Sequence, residues 1–227
     1  MTRLYVLVEG QTEEEIARAL LSEHLRSHGV ESAFIAVETS RAAHGKKHAG
    51  GGSWSTWKRN FERLKAQHPG NDVRFSSLFD LFRLPKDFPG LELHGNDKDT
   101  VRRAEKLEAS MADAIADWRF VPYLQRHEVE ALVLASLSSL TSLLDPSERD
   151  AVDALRKALG SLRPEDVNDG PETAPSKRLE AHIKEYRKVL HGPLAIEGHG
   201  LAGIRAACPR FDAWVGKLEK LGARAAG

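Results

Sequence analysis

The sequence predicts an α/β fold in which a mainly parallel, four-stranded sheet with flanking helices is followed by a C-terminal helical extension. Strand-like apolar runs alternate with helical segments over the first 145 residues or so, and this alternation is typical of a parallel sheet with helices on both faces. From Glu128 onward the pattern is helical only. We therefore expect an α/β core at residues 1–145 and a helical extension packed on it at residues 146–227.

The first strand and helix illustrate the pattern. Leu4–Val8 is a continuous run of strand-forming apolar residues, which is typical of a buried strand. A helix is predicted at Thr12–His28, and Thr12 with Glu15 fits a capping box, in which each side chain binds a backbone amide of the first turn. The capping box gives Glu15 a structural role and leaves Glu9, at the end of the strand, without one.

The remaining elements continue the alternation. Further strands are predicted at Ala33–Val37, Val73–Phe79 and Arg119–Leu124. Helices between them are predicted at Ser53–Gln67 and Asp99–Asp117, each beginning at a residue whose side chain favours the cap position. The later helices are predicted at Glu128–Leu144, Pro146–Leu159, Ser176–Leu190 and Pro209–Leu221.

Composition is typical of a soluble globular protein. Lys plus Arg and Asp plus Glu number 33 each, so nucleic-acid binding would depend on a local basic patch. The single cysteine, Cys208, excludes an internal disulfide and suits a reducing compartment. No apolar run approaches the roughly 20 residues that span a bilayer, and no signal peptide is evident. We therefore expect a cytoplasmic protein without membrane contact.

Acidic residues follow the predicted strands where ligands bind to parallel sheets. Glu9 closes the first strand, Asp80 closes the third, and Glu128 and Glu130 lie just beyond the fourth. Converging carboxylates repel one another unless a cation neutralises them, and dense oxygen ligands suit Mg²⁺ or Mn²⁺. The alternative for Glu128 and Glu130 is a purely structural one, because the helix dipole favours acids in a first turn.

His127 has two interpretations. It is a candidate general base or metal ligand, since neutral imidazole serves both purposes near pH 7, or it is a histidine bonded to backbone near a helix start. The segment His127–Ala131 lacks the second histidine of a zinc-protease motif, and the sequence contains neither a P-loop nor a glycine-rich dinucleotide motif.

A basic and aromatic stretch, Arg41–Asn60, contains no acidic residue. Positive charge beside aromatic faces favours nucleic-acid backbones and bases. We expect phosphate contacts from Lys46, Lys47, Lys58 and Arg59. The alternative is a solvated loop whose Trp57 packs inward, and for Trp57 itself we favour that interpretation.

Five motifs in order, LVEGQTEEE, FDLFRLPKDFPG, YLQRHEVEALV, NDGPETAPSKRL and VLHGPL, resemble a bacterial family of unknown function related to TOPRIM domains. TOPRIM is the α/β module of topoisomerases, primases and OLD-family nucleases. The resemblance extends from Leu4 to about Leu218 and implies a TOPRIM, Rossmann-like fold with Mg²⁺- or Mn²⁺-dependent cleavage of nucleic acid.

The resemblance also implies roles for residues at matching positions. Glu9 would act in catalysis and bind metal, with Glu13 as an additional acid of the first helix. Asp80, Glu128 and Glu130 would bind metal. Lys177 or Arg178 would lie near the scissile phosphate, and His127 joins them as a candidate catalytic residue.

One departure from the TOPRIM pattern concerns the second metal. The usual Asp-x-Asp is Asp80-Leu81-Phe82 here, so a second ion would need Glu128, Glu130 or Asp87 as a replacement ligand. Related families accompany ABC-type ATPases in phage-defence loci, which implies an ATPase partner. The competing functions are a non-catalytic module that binds nucleic acid or a protein, and an enzyme that acts on a small phosphate ester.

Overall fold

The computed structural model describes residues 1–41, 47–49, 52–167, 170 and 172–223. Its strands are β1 (Thr2–Val8), β2 (Val30–Ala36), β3 (Glu38–Arg41), β4 (Lys47–Ala49), β5 (Val73–Asp80), β6 (Phe120–Val121) and β7 (Leu124–Gln125). Its α-helices are α1 (Gln11–Ser27), α2 (Trp54–Gln67), α3 (Leu91–His94), α4 (Thr100–Ile115), α5 (Glu130–Ala135), α6 (Leu137–Leu143), α7 (Arg149–Leu159), α8 (Pro175–His182), α9 (Lys188–Ala207) and α10 (Pro209–Ala223).

The main sheet is parallel, as predicted. Its strand order is β2-β1-β5-β6, and β7 also pairs with β5. Strands β3 and β4 form a separate antiparallel pair that the sequence did not predict. Because β1 and β5 are parallel neighbours, their carboxyl ends lie side by side at one edge of the sheet.

The fourth predicted strand is present as two short strands, because Pro122 interrupts it. Proline has no backbone N–H to donate to a ladder. Serine hydroxyls of β5 replace the lost pairing: Ser76 Oγ donates to the carbonyl of Val121 at 2.6 Å. Ser77 Oγ donates to the carbonyl of Tyr123 at 2.9 Å and accepts its N–H at 3.0 Å. The chain therefore stays attached to β5 across the proline.

Apolar side chains fill both faces of the sheet. Alternate residues of β1 point to opposite faces, so that Leu4, Val6 and Val8 join one cluster and Leu7 joins the other. The first cluster includes residues of α1, α5, α9 and α10, and the second includes residues of α2 and α4. Trp57 is buried in the second cluster, as favoured above. The division at residue 145 stays a prediction; Leu4 and Leu218 share the first cluster.

Helix starts differ in how well the sequence predicted them. Ser53 Oγ accepts the N–H of Thr56 at 3.2 Å, and Asp99 Oδ1 accepts two first-turn amides of α4, so both predicted caps are confirmed. The capping box at α1 is wrong: Gly10 is the cap residue, without a side-chain bond. Glu15 accepts instead from Gln11 Nε2 at 3.0 Å.

Helices of the C-terminal part depart further from the prediction. The helix predicted at Glu128–Leu144 is divided into α5 and α6, and the one predicted to end at Leu190 ends at His182. Helix α9 was not predicted, because its glycines and Pro193 are poor helix formers. Packing against α1, α5 and α6 stabilises it nonetheless. Among the described residues, no helix combines the length and apolar character needed to cross a membrane.

Candidate metal centre

Glu9 and Asp80 meet where β1 and β5 end. Val8 is in register with Leu78, so the residue after β1 lies beside the last residues of β5. The carboxylate of Glu9 accepts the backbone N–H of Asp80 through Oε1 at 2.9 Å. The two acids that the sequence placed at one sheet edge are therefore brought together.

Asp80 fixes the segment that delivers the next acids. Its Oδ1 accepts the backbone N–H of Val129 at 2.9 Å. Two backbone bonds extend the parallel pairing beyond β5, from Leu81 N–H to the carbonyl of Gln125 and from Phe82 N–H to the carbonyl of His127. Glu128 and Glu130 are consequently held beside Asp80.

Glu13 enters the same cluster from the first turn of α1. Glu13 is buried, with 7% of its surface exposed to solvent. A Cβ atom at Gly10 would lie 3.1 Å from Glu13 Oε2, which shows how closely this carboxylate folds back over the turn between β1 and α1. Glycine at position 10 leaves room for that approach.

Lys188, the first residue of α9, supplies a cation that sequence analysis did not select. Its Nζ lies 2.6 Å from Glu130 Oε1 and 3.9 Å from Glu13 Oε1. Burial alone would lower the pKa of Lys188, but the carboxylates of Glu130, Glu13 and Asp80 raise it above its ordinary value. The sequence feature that could have indicated Lys188 is its position immediately before the VLHGPL motif, which begins at Val189.

The carboxyl groups of this cluster titrate abnormally. Burial is the main cause that raises the pKa of Glu9 to about 7, with the charges of Glu13 and Glu130 adding to it and the Asp80 N–H and Lys188 opposing it. Burial, followed by the charge of Glu9, raises the pKa of Asp80 well above its usual range. Burial also raises the pKa of Glu130, although Lys188 opposes the shift. One lysine does not neutralise the cluster.

Glu128 points to a different partner from Glu130. Its Oε2 accepts the backbone N–H of Ser176 at 2.9 Å, at the beginning of α8. Lys177 Nζ pairs with Glu180 Oε2 at 2.7 Å on the exposed surface, and Arg178 Nε donates to the carbonyl of Thr173 at 3.0 Å. Lys177 and Arg178 thus lie on the helix that Glu128 anchors, and their roles near a phosphate stay predictions.

His127 lies in an unusual conformation between β7 and α5. Its φ of 65° is in the left-handed region that few residues other than glycine adopt, and its side chain is buried. Its carbonyl accepts the N–H of Phe82 at 2.8 Å, which ties the strained residue to the segment after Asp80. A role as base or ligand stays a prediction.

The four basic residues predicted to contact nucleic acid are only partly described. Lys46 lies outside the described residues, and only the backbone of Lys47, in β4, is described. Lys58 and Arg59 lie early in α2. Asp87, after β5, accepts the N–H groups of Trp54 and Ser55 through its two carboxylate oxygens, which holds the start of α2 near the same edge of the sheet.

The contacts of Asp87 bear on the second metal. Its two carboxylate oxygens accept backbone N–H groups at the start of α2, and those bonds lower its pKa. Its role as a replacement ligand stays a prediction. Phe82 lies under the guanidinium of Arg83, whose central carbon is 4.9 Å from the ring centroid. Position 82 therefore supplies no carboxylate.

The donor set fits a hard divalent cation in composition and charge. Glu13 and Glu130 lie beside the Lys188 ammonium, Glu9 and Asp80 meet at the adjoining strand ends, and Glu130 Oε2 is buried without a hydrogen-bond partner among the described residues. Such oxygen-only sets suit Mg²⁺ and Mn²⁺. In the described part of the chain these oxygens do not form a group of three within 4.8 Å of one another, so a bound ion would draw the carboxylates inward and Lys188 outward.

Comparisons with known proteins cover nearly the whole chain. A family model described as Domain of unknown function (DUF4276) matches residues 8–219. A similar solved structure is the C-terminal region of the Burkholderia pseudomallei OLD protein, with 15% sequence identity, a TM-score of 0.49 and coverage of 98% of this chain and 99% of that chain. A comparison with curated proteins found no match.

Proposed function

Because this chain belongs to the DUF4276 family, a domain of unknown function, we propose from its own residues that it is a Mg²⁺- or Mn²⁺-dependent nuclease of the TOPRIM type. The observation that carries the proposal is the meeting of Glu9 and Asp80 where β1 and β5 end, with Glu13 and Glu130 beside Lys188 in the same cluster. The five sequence motifs that resemble TOPRIM-related proteins support the same function. Burying several carboxylates close together destabilises the folded protein, and a bound cation would offset that cost.

Glu9, Glu13, Asp80 and Glu130 would hold the metal. The ion would supply a water nucleophile and stabilise charge on the phosphodiester. Two backbone amides, of Asp80 and Val129, orient the carboxylates of Glu9 and Asp80. These bonds come from the sheet and its extension, so they position the ligands without help from a flexible loop.

Lys188 would bind the substrate phosphate once a metal takes over the neutralisation of Glu130. Its ammonium is held by Glu130 and faces Glu13, and its side chain is 43% exposed, so it has access to solvent and to a ligand. This role replaces neither Lys177 nor Arg178. Those residues lie on α8, whose first turn Glu128 anchors, and either one would lie near the scissile phosphate as predicted.

Nuclease assays with matched acid-to-amide variants test the proposal. Double-stranded DNA, single-stranded DNA and RNA would be incubated with Mg²⁺ or Mn²⁺, and with EDTA as a blank. Glu9→Gln and Asp80→Asn should lower cleavage at least about 100-fold, whereas Glu15→Gln, on the same first helix but bonded to Gln11, should not. Cleavage by folded Glu9→Gln at the wild-type rate would contradict the assignment.

A non-catalytic module is the second candidate, because of two observations. Phe82 stands where the TOPRIM pattern has a second Asp, and Lys188 already provides a cation for Glu130. Such a module would bind nucleic acid or a partner such as an ABC-type ATPase. Thermal unfolding with millimolar Mg²⁺ or Mn²⁺ distinguishes the two candidates, since an ion that binds the native state must stabilise it. Absence of stabilisation would favour the module.

A further inference from the structure

Two histidines and a glutamate converge at the opposite end of α1 from the carboxylate cluster. His24 lies in the last turn of α1, His28 follows the helix, and Glu219 belongs to α10. One ring nitrogen of each histidine and one oxygen of Glu219 lie within 4.8 Å of one another. About 16 Å of helix separates His24 from Glu13, at 1.5 Å per residue. The group is therefore independent of the site proposed above.

The hydrogen bonds of His28 leave one ring nitrogen with a lone pair. Its Nδ1 lies 2.9 Å from the carbonyl oxygen of His24. A carbonyl can only accept, so Nδ1 carries the hydrogen, and the lone pair of the neutral ring is on Nε2. This is the arrangement by which backbone carbonyls orient metal-binding histidines. His24 Nε2 lies 2.6 Å from Glu219 Oε1. Because a carboxylate oxygen accepts, this nitrogen carries a hydrogen when no ion is bound, and it would release that proton on binding a metal.

Close backbone packing fixes Glu219 relative to the histidines. Gly222, three residues later in α10, lies so near α1 that a Cβ atom on it would be 1.8 Å from the carbonyl oxygen of His28. Thr2 Oγ1 also donates to the carbonyl of Leu221 at 2.9 Å. The end of α10 is thus held against the turn after α1, and preorganised ligands of this kind favour metal binding.

A cation already occupies part of this group. Arg205 Nη1 contacts Glu219 Oε1 and lies 3.5 Å from His24 Nε2, while Arg205 Nε contacts Asp212. Positive charge is therefore stabilised beside Glu219, whose pKa is held below its ordinary value by Arg205 and His24 despite burial. A metal would displace the guanidinium from Glu219, and Asp212 would keep Arg205 paired.

We propose that His24, His28 and Glu219 bind a transition-metal dication, with Zn²⁺ as the best fit and water completing the coordination. Imidazole nitrogens select Zn²⁺ or Co²⁺ over Mg²⁺, which requires oxygen ligands. Tetrahedral coordination at about 2.0–2.1 Å needs ligand atoms about 3.3 Å apart, so small side-chain rotations would close the site. The ion would join α1 to α10 and stabilise the packing of the C-terminal helices on the sheet.

Co²⁺ titration followed by visible absorption tests this proposal with the metal alone as the probe. The full chain carrying Glu9→Gln would be used, because that change weakens the carboxylate cluster. One equivalent of Co²⁺ should bind with the absorption of a tetrahedral nitrogen-ligated ion, and Zn²⁺ should displace it. His28→Asn and Glu219→Gln should each weaken binding at least about tenfold, whereas His94→Asn, on α3, should not.

His28→Asn should not disturb folding, because His28 is exposed. Circular dichroism would verify the fold of each variant. Tight binding that survives His28→Asn, or is present only in chains with Glu9 intact, would assign the ion to the carboxylate cluster and overturn the proposal. Absence of Co²⁺ and Zn²⁺ binding at millimolar ion would also overturn it. None of these outcomes bears on the nuclease proposal, which is tested separately by cleavage assays with Mg²⁺ or Mn²⁺.

Discussion

Lys188 Nζ lies 2.6 Å from Glu130 Oε1 and makes the principal ion pair of the carboxylate cluster. The carboxylate is almost fully buried, whereas the lysine side chain is 43% exposed. Loss of the lysine would therefore leave Glu130 buried with no opposite charge at hydrogen-bond distance in the described part of the chain. The pair joins α9 to α5 at the edge of the sheet where β1 and β5 end, so it is suited to double-variant analysis.

Lys188→Met should destabilise the protein by about 2 kcal/mol above neutral pH, less than the roughly 3–5 kcal/mol for fully buried pairs because the lysine is partly solvated. Urea unfolding would measure the change. The control is Lys177→Met, whose exposed pair with Glu180 should be worth less than about 1 kcal/mol. Lys188→Met with Glu130→Gln should recover most of the loss; an additive double variant would show that the two residues are not coupled.

The raised pKa of Glu9 predicts a pH dependence of stability in the absence of divalent ions. Its pKa is 4.5 unperturbed and about 7 in the folded protein, so the native state binds more protons than the unfolded state between these values. Stability contributed by protonated Glu9 is present at low pH and is lost as the pH rises towards 7. We expect a loss on the order of 3 kcal/mol, measured by urea unfolding.

Glu9→Gln should flatten this pH profile, and Mg²⁺ should oppose the loss in wild type because the ion favours the ionised carboxylate. Glu15→Gln is the control for changes in net charge. A profile that Glu9→Gln leaves unaltered would mean that other carboxyl groups determine it.

Charge at the start of α2 predicts the salt dependence of nucleic-acid binding. If Lys58 and Arg59 each contact a phosphate, Lys58→Gln with Arg59→Gln should reduce the slope of log affinity against log salt by about 2. Fluorescence anisotropy with a labelled oligonucleotide measures the slope. Arg156→Gln with Lys157→Gln, on α7, removes the same charge and should leave the slope unchanged. Equal slopes in all three proteins would favour the enzyme that acts on a small phosphate ester.

The sequence was sufficient to bring Glu9 and Asp80 together, because that inference needs only two apolar strands and the parallel order typical of alternating strands and helices. It was not sufficient for Lys188. Helix α9 contains four glycines and Pro193, and its stability comes from packing on α1, α5 and α6, which no local pattern reports.

Glu128 and Glu130 are a second case in which the sequence was not sufficient to predict the site. Both follow the last strand, and their sequence spacing does not reveal which one faces the cluster. The left-handed backbone at His127 and the bond from Val129 N–H to Asp80 determine the answer: Glu130 faces Lys188, whereas Glu128 binds the first turn of α8. Both determinants are properties of the assembled fold.

The serine that replaces strand pairing around Pro122 predicts a stability effect. Ser77 Oγ bonds to both backbone groups of Tyr123 in the buried core. Ser77→Ala should leave a buried N–H and a buried carbonyl without that partner, at a cost of about 2–3 kcal/mol in urea unfolding. Ser110→Ala is the control, because Ser110 is on the surface of α4, and it should change stability by less than about 0.5 kcal/mol. Equal effects would show that the hydroxyl of Ser77 is dispensable.

Two glycines of α10 provide the sharpest test of how this helix packs on the turn after α1. A Cβ atom at Gly222 would lie 1.8 Å from the carbonyl oxygen of His28, whereas at Gly216 its nearest neighbour would be Glu219 Oε2 at 3.8 Å. Alanine is the better helix former by up to about 1 kcal/mol, so Gly216→Ala should stabilise the protein. Gly222→Ala must separate two backbones and should cost about 2 kcal/mol or more. Thermal and urea unfolding of both variants would measure the contrast, and a stabilising Gly222→Ala would mean that α10 does not approach His28 in this way.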